Sequence, residues 1–150
     1  MTEAVIVLEQ RLPRASLPGA LDLPLTATER SVLRGRRRTA CGRDVLLQLP
    51  RDRALQPGDQ LMDLAQTLRV VVTAAPEALL RVRAATSLEL LQASYHLGNR
   101  HVALEVHEHE LLLQEDDVLK DMLEGRGMQV SRCIRPFTPD GGAYAAHRHG

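Results

Sequence analysis

Four of the chain's six histidines fall between residues 95 and 109, in YHLGNRHVALEVHEH, where a helical pattern of apolar residues gives way to an alternating one. Imidazole binds Ni, Cu and Zn alike, so this density marks a candidate metal site. His96 and His101 are five positions apart. On an unbroken helix they would diverge by about 140°, too far to chelate one ion. They therefore have different roles. His96, inside the helix beside Tyr95, reads as a structural or hydrogen-bonding histidine. His101 follows Gly98-Asn99-Arg100 at a helix-to-strand junction, where a rigid base can present a side chain outward. His107 and His109 share a face if the strand continues through them, and imidazoles two apart can grip one divalent ion. The plainer reading of HEHE is a solvated hairpin tip. His147 and His149 repeat that spacing in AHRHG at the end of the chain, on a segment that could fold over a metal held elsewhere.

The elements that must position these residues follow from pattern. Ala4 to Leu12 reads as a strand stopped by Pro13, and Pro18, Gly19 and Pro24 forbid a long helix after it. Residues 35–49 suggest a hairpin turning at Cys41-Gly42-Arg43-Asp44. Another turn at Pro57-Gly58-Asp59 leads to a strand at 68–73. The texture changes at Ala74-Ala75-Pro76, which is the expected seam. Leu79 to Ala84 alternates as a half-buried strand does. Thr86-Ser87-Leu88-Glu89 has the spacing of a capping box and opens a helix whose buried stripe is expected to be Leu88, Leu91 and Tyr95, with Leu90, ending at Gly98-Asn99. Val102, Leu104 and Val106 predict a strand, and 110–114 a returning one. Asp116 or Asp117 caps a second helix with Val118, Leu119, Met122 and Leu123 facing inward, stopped by Gly125 and Gly127. Met128, Val130, Arg132 and Ile134 form the last alternation.

The expected architecture is α+β. A small all-β domain spans 1–74, a ferredoxin-like βαββαβ domain spans 75–136, and a flexible histidine-bearing tail spans 137–150. That fold hosts many activities and decides nothing about function by itself.

Composition narrows the functions. With 44% apolar residues the chain can build cores, but with no Trp, one Phe and two Tyr those cores are aliphatic, and base-stacking platforms for nucleic acid are not available. The formal charge is zero, with 19 basic and 19 acidic residues, so no net field draws a polyanion or a membrane surface. The basic run Arg34, Arg36, Arg37, Arg38 reads as a solvated strand or a partner-protein surface. Ala4 to Leu8 is too short for a signal-peptide core, and no apolar run approaches the ~20 residues of a membrane span, which predicts a cytoplasmic protein. Cys41 and Cys133 have no CxxC partner and read as reduced thiols. No GxSxG elbow, HExxH, Walker loop or dinucleotide fingerprint is present, so an enzyme is not expected.

YHLGNRHVALEV at 95–106, DDVLKDML at 116–123 and GAYAAHRHG at 142–150 closely resemble the UreE family of urease accessory proteins, which are nickel metallochaperones. LPLTATER, RGRRRTACGRDVLLQLPR and LQPGDQL resemble that family's N-terminal β domain. The resemblance implies a peptide-binding first domain and a homodimer. It implies Ni²⁺ as bound cargo, with Zn²⁺ or Cu²⁺ as competitors, delivered to urease with accessory partners that include the GTPase UreG. The family's metal-binding histidine corresponds to His101, at the dimer interface, and supplementary tail histidines correspond to His147 and His149. His107 and His109 are auxiliary candidates. Glu115, Asp116 and Asp117 stand where some relatives carry a further pair of ligands, so no ligand is carried over there. Symmetry suits such a site, because a residue near a twofold axis meets its own copy and one position then supplies two ligands. The competing reading is a protein-protein adaptor of a maturation complex, with metal binding incidental.

Overall fold

The structure, a computed structural model, describes residues 4–12 and 18–141. The chain divides into two compact units, Met1–Ala75 and Pro76–Gly150. Together they give the expected α+β composition, with sheets in both units and three helices among the described residues.

In the first unit, the strands are β1 (Ile6–Leu8), β2 (Gln10–Leu12), β3 (Leu21–Leu25), β4 (Arg34–Arg38), β5 (Asp44–Gln48), β6 (Gln60–Met62) and β7 (Arg69–Ala74). They form a three-stranded sheet, β1-β5-β4, and a four-stranded sheet, β2-β6-β7-β3. Alternation decides which side chains are enclosed. Leu23 and Leu25 of β3, Val45 and Leu47 of β5, and Val70 and Val72 of β7 belong to one aliphatic core. The expected single strand over 4–12 is two short ones in different sheets, interrupted at Glu9.

This unit was expected to be all β, yet it contains the helix α1 (Ala27–Ser31). Its cause is local. The Thr26 hydroxyl accepts from the Glu29 N–H at 3.2 Å, and the Glu29 carboxylate accepts from the Thr26 N–H at 2.9 Å, a complete capping box. Pro24 forbids helix only before this cap.

The second unit runs β8 (Pro76–Arg83), α2 (Ser87–Asn99), β9 (Glu105–Val106), β10 (Leu111–Gln114), α3 (Asp117–Gly125) and β11 (Gln129–Pro136). Its antiparallel sheet has the order β11-β8-β10-β9. Leu80 and Val82 of β8 and Leu111 and Leu113 of β10 share a core with Leu90, Ala93 and Leu97 of α2 and Leu119 and Leu123 of α3. Thr86 caps α2 by accepting from the Glu89 N–H at 3.1 Å, and Asp116 caps α3 by accepting from the Leu119 N–H at 3.0 Å.

Two expected inward stripes are corrected. On α2, Leu88, Leu91 and Tyr95 are 62%, 66% and 66% exposed, and the buried residues are Leu90, Ala93 and Leu97. The two sets are offset by two positions, about 200° around the axis, so they occupy opposite faces. On α3, Val118 is 71% exposed while Leu119 and Leu123 are buried. Ile134 of β11 is likewise 76% exposed.

Residues 137–140, expected to begin a mobile tail, are fixed. Phe137 is fully buried, and the Asp140 N–H donates to the Leu104 carbonyl at 2.6 Å. No helix among the described residues is long and apolar enough to cross a membrane.

Candidate metal centre

The end of α2 explains how His101 is displayed. The Val102 N–H donates to the Leu97 carbonyl at 3.1 Å and the His101 N–H to the Gly98 carbonyl at 3.0 Å. These are the two bonds of a Schellman motif, which requires a left-handed residue just past the helix. That residue is His101, with φ of 58°, not Gly98 or Asn99 as the sequence suggested; both lie within the helix. The other long helix makes a useful control. At the end of α3 the Met128 N–H donates to Leu123 and the Gly127 N–H to Glu124, and the left-handed residue is Gly127, φ 88°. Glycine takes this conformation without steric penalty, whereas an L side chain costs roughly 1–2 kcal/mol. Where the second unit uses glycine at one helix end, it bears strain to hold an exposed imidazole at the other. Leu97 and Val102 pack into the core on either side of the turn, so the base beneath the imidazole is anchored.

His101 lines a cleft of about 370 Å³ with Val102, Ala103, Gln114, Glu115, Asp116 and Leu119. The carboxylates here are already engaged. Glu115 pairs with the Arg132 guanidinium at 3.0 Å, Asp117 with the same group at 3.2 Å, and Asp116 caps α3.

The other histidines lie elsewhere. His96 is half-buried in α2 with its ring 5.7 Å from that of Tyr95, edge to face, as befits a structural residue. The strand does not continue through His107 and His109. β9 ends at Val106, and the His107 N–H donates to the Glu110 carbonyl at 3.0 Å to close a hairpin turn. His107 Nε2 lies 2.5 Å from Glu105 Oε2, and His109, 84% exposed, lies 3.7 Å from Glu108. His147 and His149 are outside the described residues. Among the described residues no three His, Cys, Asp or Glu side chains converge to hold one ion.

Glu105 is a functional-looking residue that sequence reasoning passed over. Its Oε1 accepts from the Thr138 N–H at 2.8 Å and from the Thr138 hydroxyl at 3.1 Å, while its Oε2 meets His107. Burial pushes its pKa up, but the bonds from Thr138 and His107 outweigh burial and hold the carboxyl below its ordinary value. Asp140 adds to the latch by accepting from the Val106 N–H at 2.9 Å. The segment that leads to the C-terminal histidines is thereby tied to β9. The bond to Thr138 was not visible in the sequence, because the two residues are 33 positions apart.

The model of the UreE urease accessory protein C-terminal domain matches residues 77–150. A urease accessory protein UreE from Parasynechococcus marenigrum (strain WH8102) is 70% identical over 150 residues, covering all of both chains. The chain belongs to the UreE urease accessory protein family. Other UreE proteins extend the likeness across a wide range. That of Thermosynechococcus vestitus is 50% identical over 131 residues, 85% of this chain and 88% of its own. That of Nostoc punctiforme is 41% identical over 137 residues, 91% and 93% of the two chains. These UreE relatives are named as accessory proteins, not as enzymes.

Proposed function

We propose that the chain is a cytoplasmic nickel metallochaperone of urease maturation, acting as a homodimer in which His101 of both copies anchors Ni²⁺. The observation that carries this reading is a pairing on α2: an apolar stripe facing solvent, on a helix that ends in a strained, outward imidazole. A helix that is apolar on two opposite faces has two partners, and the core covers only one. A second copy packed on Leu88, Leu91 and Tyr95 would cover the other and bring two symmetry-related sites close together. One imidazole holds a divalent ion weakly, and two with further ligands hold it usefully.

His147 and His149 supply further ligands that capture and release the ion, and His107 and His109 are auxiliary ligands. Zn²⁺ and Cu²⁺ compete, since affinity order alone does not select nickel. The first unit serves as the peptide- or partner-binding domain. The second is the ferredoxin-like metal-binding domain, a reading supported by its β-α-β-β-α-β succession and its strand order β11-β8-β10-β9. Delivery runs to the urease apoprotein with accessory partners including the GTPase UreG; the relatives' names support the accessory role in urease maturation. Calorimetry tests the anchor directly. His101→Ala should abolish the tight nickel site of the dimer, and unchanged stoichiometry and affinity would refute the assignment.

A further inference from the structure

β4 is the outer strand of the sheet β1-β5-β4. Its register sets Gly35 opposite Leu47 and Arg37 opposite Val45, and the flanking bonds run from Thr39 N–H to the Arg43 carbonyl and from Leu49 N–H to the Leu33 carbonyl. Odd-numbered residues therefore direct their main-chain groups toward β5, and Arg34, Arg36 and Arg38 direct theirs outward. The next residue in the outward series, Ala40, donates to the Asp22 carbonyl at 2.8 Å. Among the described residues the outward N–H groups of the three arginines meet no backbone acceptor.

An unpaired edge of this length is a template for another strand. Here it carries its own removable cover. The Arg37 guanidinium donates to the Arg36 carbonyl at 2.7 Å and to the Val32 carbonyl at 3.2 Å. It lies in the space that a side chain at Gly35 would fill, and Gly35 has φ of 140°. The cover is a cation, and a carboxylate is the group best suited to draw it away. Around it the side chains of Arg34, Arg36 and Arg38 are exposed, and only Arg38 has a carboxylate partner among the described residues, Asp44 at 3.0 Å. At the start of the strand a cleft of about 780 Å³ opens beside Val32, Leu33, Leu49 and Arg51, with Val32 47% exposed.

We propose that β4 is a docking edge for an extended acidic segment of another protein, which joins the sheet as a further strand. Main-chain bonds to residues 34, 36 and 38 give affinity, alternate carboxylates face Arg34 and Arg36, and an apolar residue enters the cleft by Val32. A second copy of this chain is a poor occupant, because pairing β4 with itself sets arginine against arginine. The inference rests on the reading of the first unit as a partner-binding domain, which it makes specific, and stands apart from the nickel site.

The test uses the full-length protein and a blocked peptide of about eight residues alternating Val and Glu, followed by amide exchange at single-residue resolution. Exchange at Arg34, Arg36 and Arg38 should slow on titration. A Val/Lys peptide, and a Val/Glu peptide N-methylated on alternate amides, should leave those amides unchanged. The double variant Arg34→Glu with Arg36→Glu should weaken binding by about tenfold or more. The proposal is overturned if the acidic peptide slows none of these amides, or if the N-methylated peptide binds as well. If the folded double variant binds undiminished, it is overturned too. If that variant does not fold, the N-methylated control decides.

Discussion

Replacing His101 by glycine should make the metal-free protein more stable while removing its nickel site. The imidazole is exposed and its backbone is left-handed at φ 58°, so the substitution deletes no buried contact and relieves a conformation that costs an L residue about 1–2 kcal/mol. Glycine is more disordered in the unfolded chain, which offsets about 0.4–1 kcal/mol of that relief. The net expectation is a gain of roughly 0.5–1 kcal/mol, or about 1–4 °C in melting temperature for a chain of this size. Urea unfolding in the presence of chelator, at fixed protein concentration, measures the first effect. The stabilisation added by Ni²⁺ measures the second, since a ligand that binds only the folded state raises stability by mass action. Gly127, which closes α3 in the same motif, shows that the turn needs no side chain. A loss of 1 kcal/mol or more in the metal-free His101→Gly variant would refute the reasoning, because the imidazole would then be holding the helix end together.

Three other perturbations separate the parts of the account. Leu91→Glu changes the centre of the exposed α2 stripe in both copies of a dimer, and losing a buried leucine twice should weaken association by about 3 kcal/mol or more; sedimentation at micromolar concentration would read a monomer with an unchanged fold. Glu105→Ala removes the acceptor of both Thr138 donors, so the amides of Thr138 and Asp140 should exchange faster and stability should fall by about 1–3 kcal/mol; protected amides there would show that Phe137 and the Asp140 bonds fix the segment without Glu105. Asp63 accepts from the Thr67 hydroxyl and from the N–H groups of Leu68 and Thr67, and these hold its carboxyl below the usual value of 3.8. Its contribution is complete above that value and disappears as pH falls through the lower folded-state pKa, so Asp63→Asn should flatten the acid limb of the stability curve; an unchanged limb would remove Asp63 from acid unfolding.

The sequence made the elements legible wherever the signal was local. The hairpin around Cys41 to Asp44, the cap at Thr86 and the cap at Asp116 all depend on residues within four positions of each other, and each stands where pattern placed it. α1 escaped because a five-residue helix leaves almost no periodicity; its only signature was Thr26 followed by Glu29. α2 shows the limit of hydrophobic patterning. Leu88-Leu91-Tyr95 and Leu90-Ala93-Leu97 have the same spacing, and nothing in one sequence says which stripe faces the chain's own core. The core holds the set containing Ala93, and the bulkier set faces solvent. The candidate site was half legible. His101 stands out by its place at a junction, but pattern points to Gly98 and Asn99 for the left-handed backbone that His101 in fact adopts. The latch on 137–140 was not legible, since Glu105 and Thr138 are 33 positions apart in the chain. Proline and glycine in the tail pointed to mobility, and a buried Phe137 overrode them for its first residues.

Native mass spectrometry at graded Ni²⁺, on the intact protein and on His101→Ala, bears most directly on the shared site. The account predicts that tight nickel rides on a species of two 16.6 kDa chains, that removing residues 146–150 weakens this loading without splitting the dimer, and that His101→Ala dimers lose it. Nickel carried stoichiometrically by single chains, or bound equally well without the imidazole at 101, would contradict it.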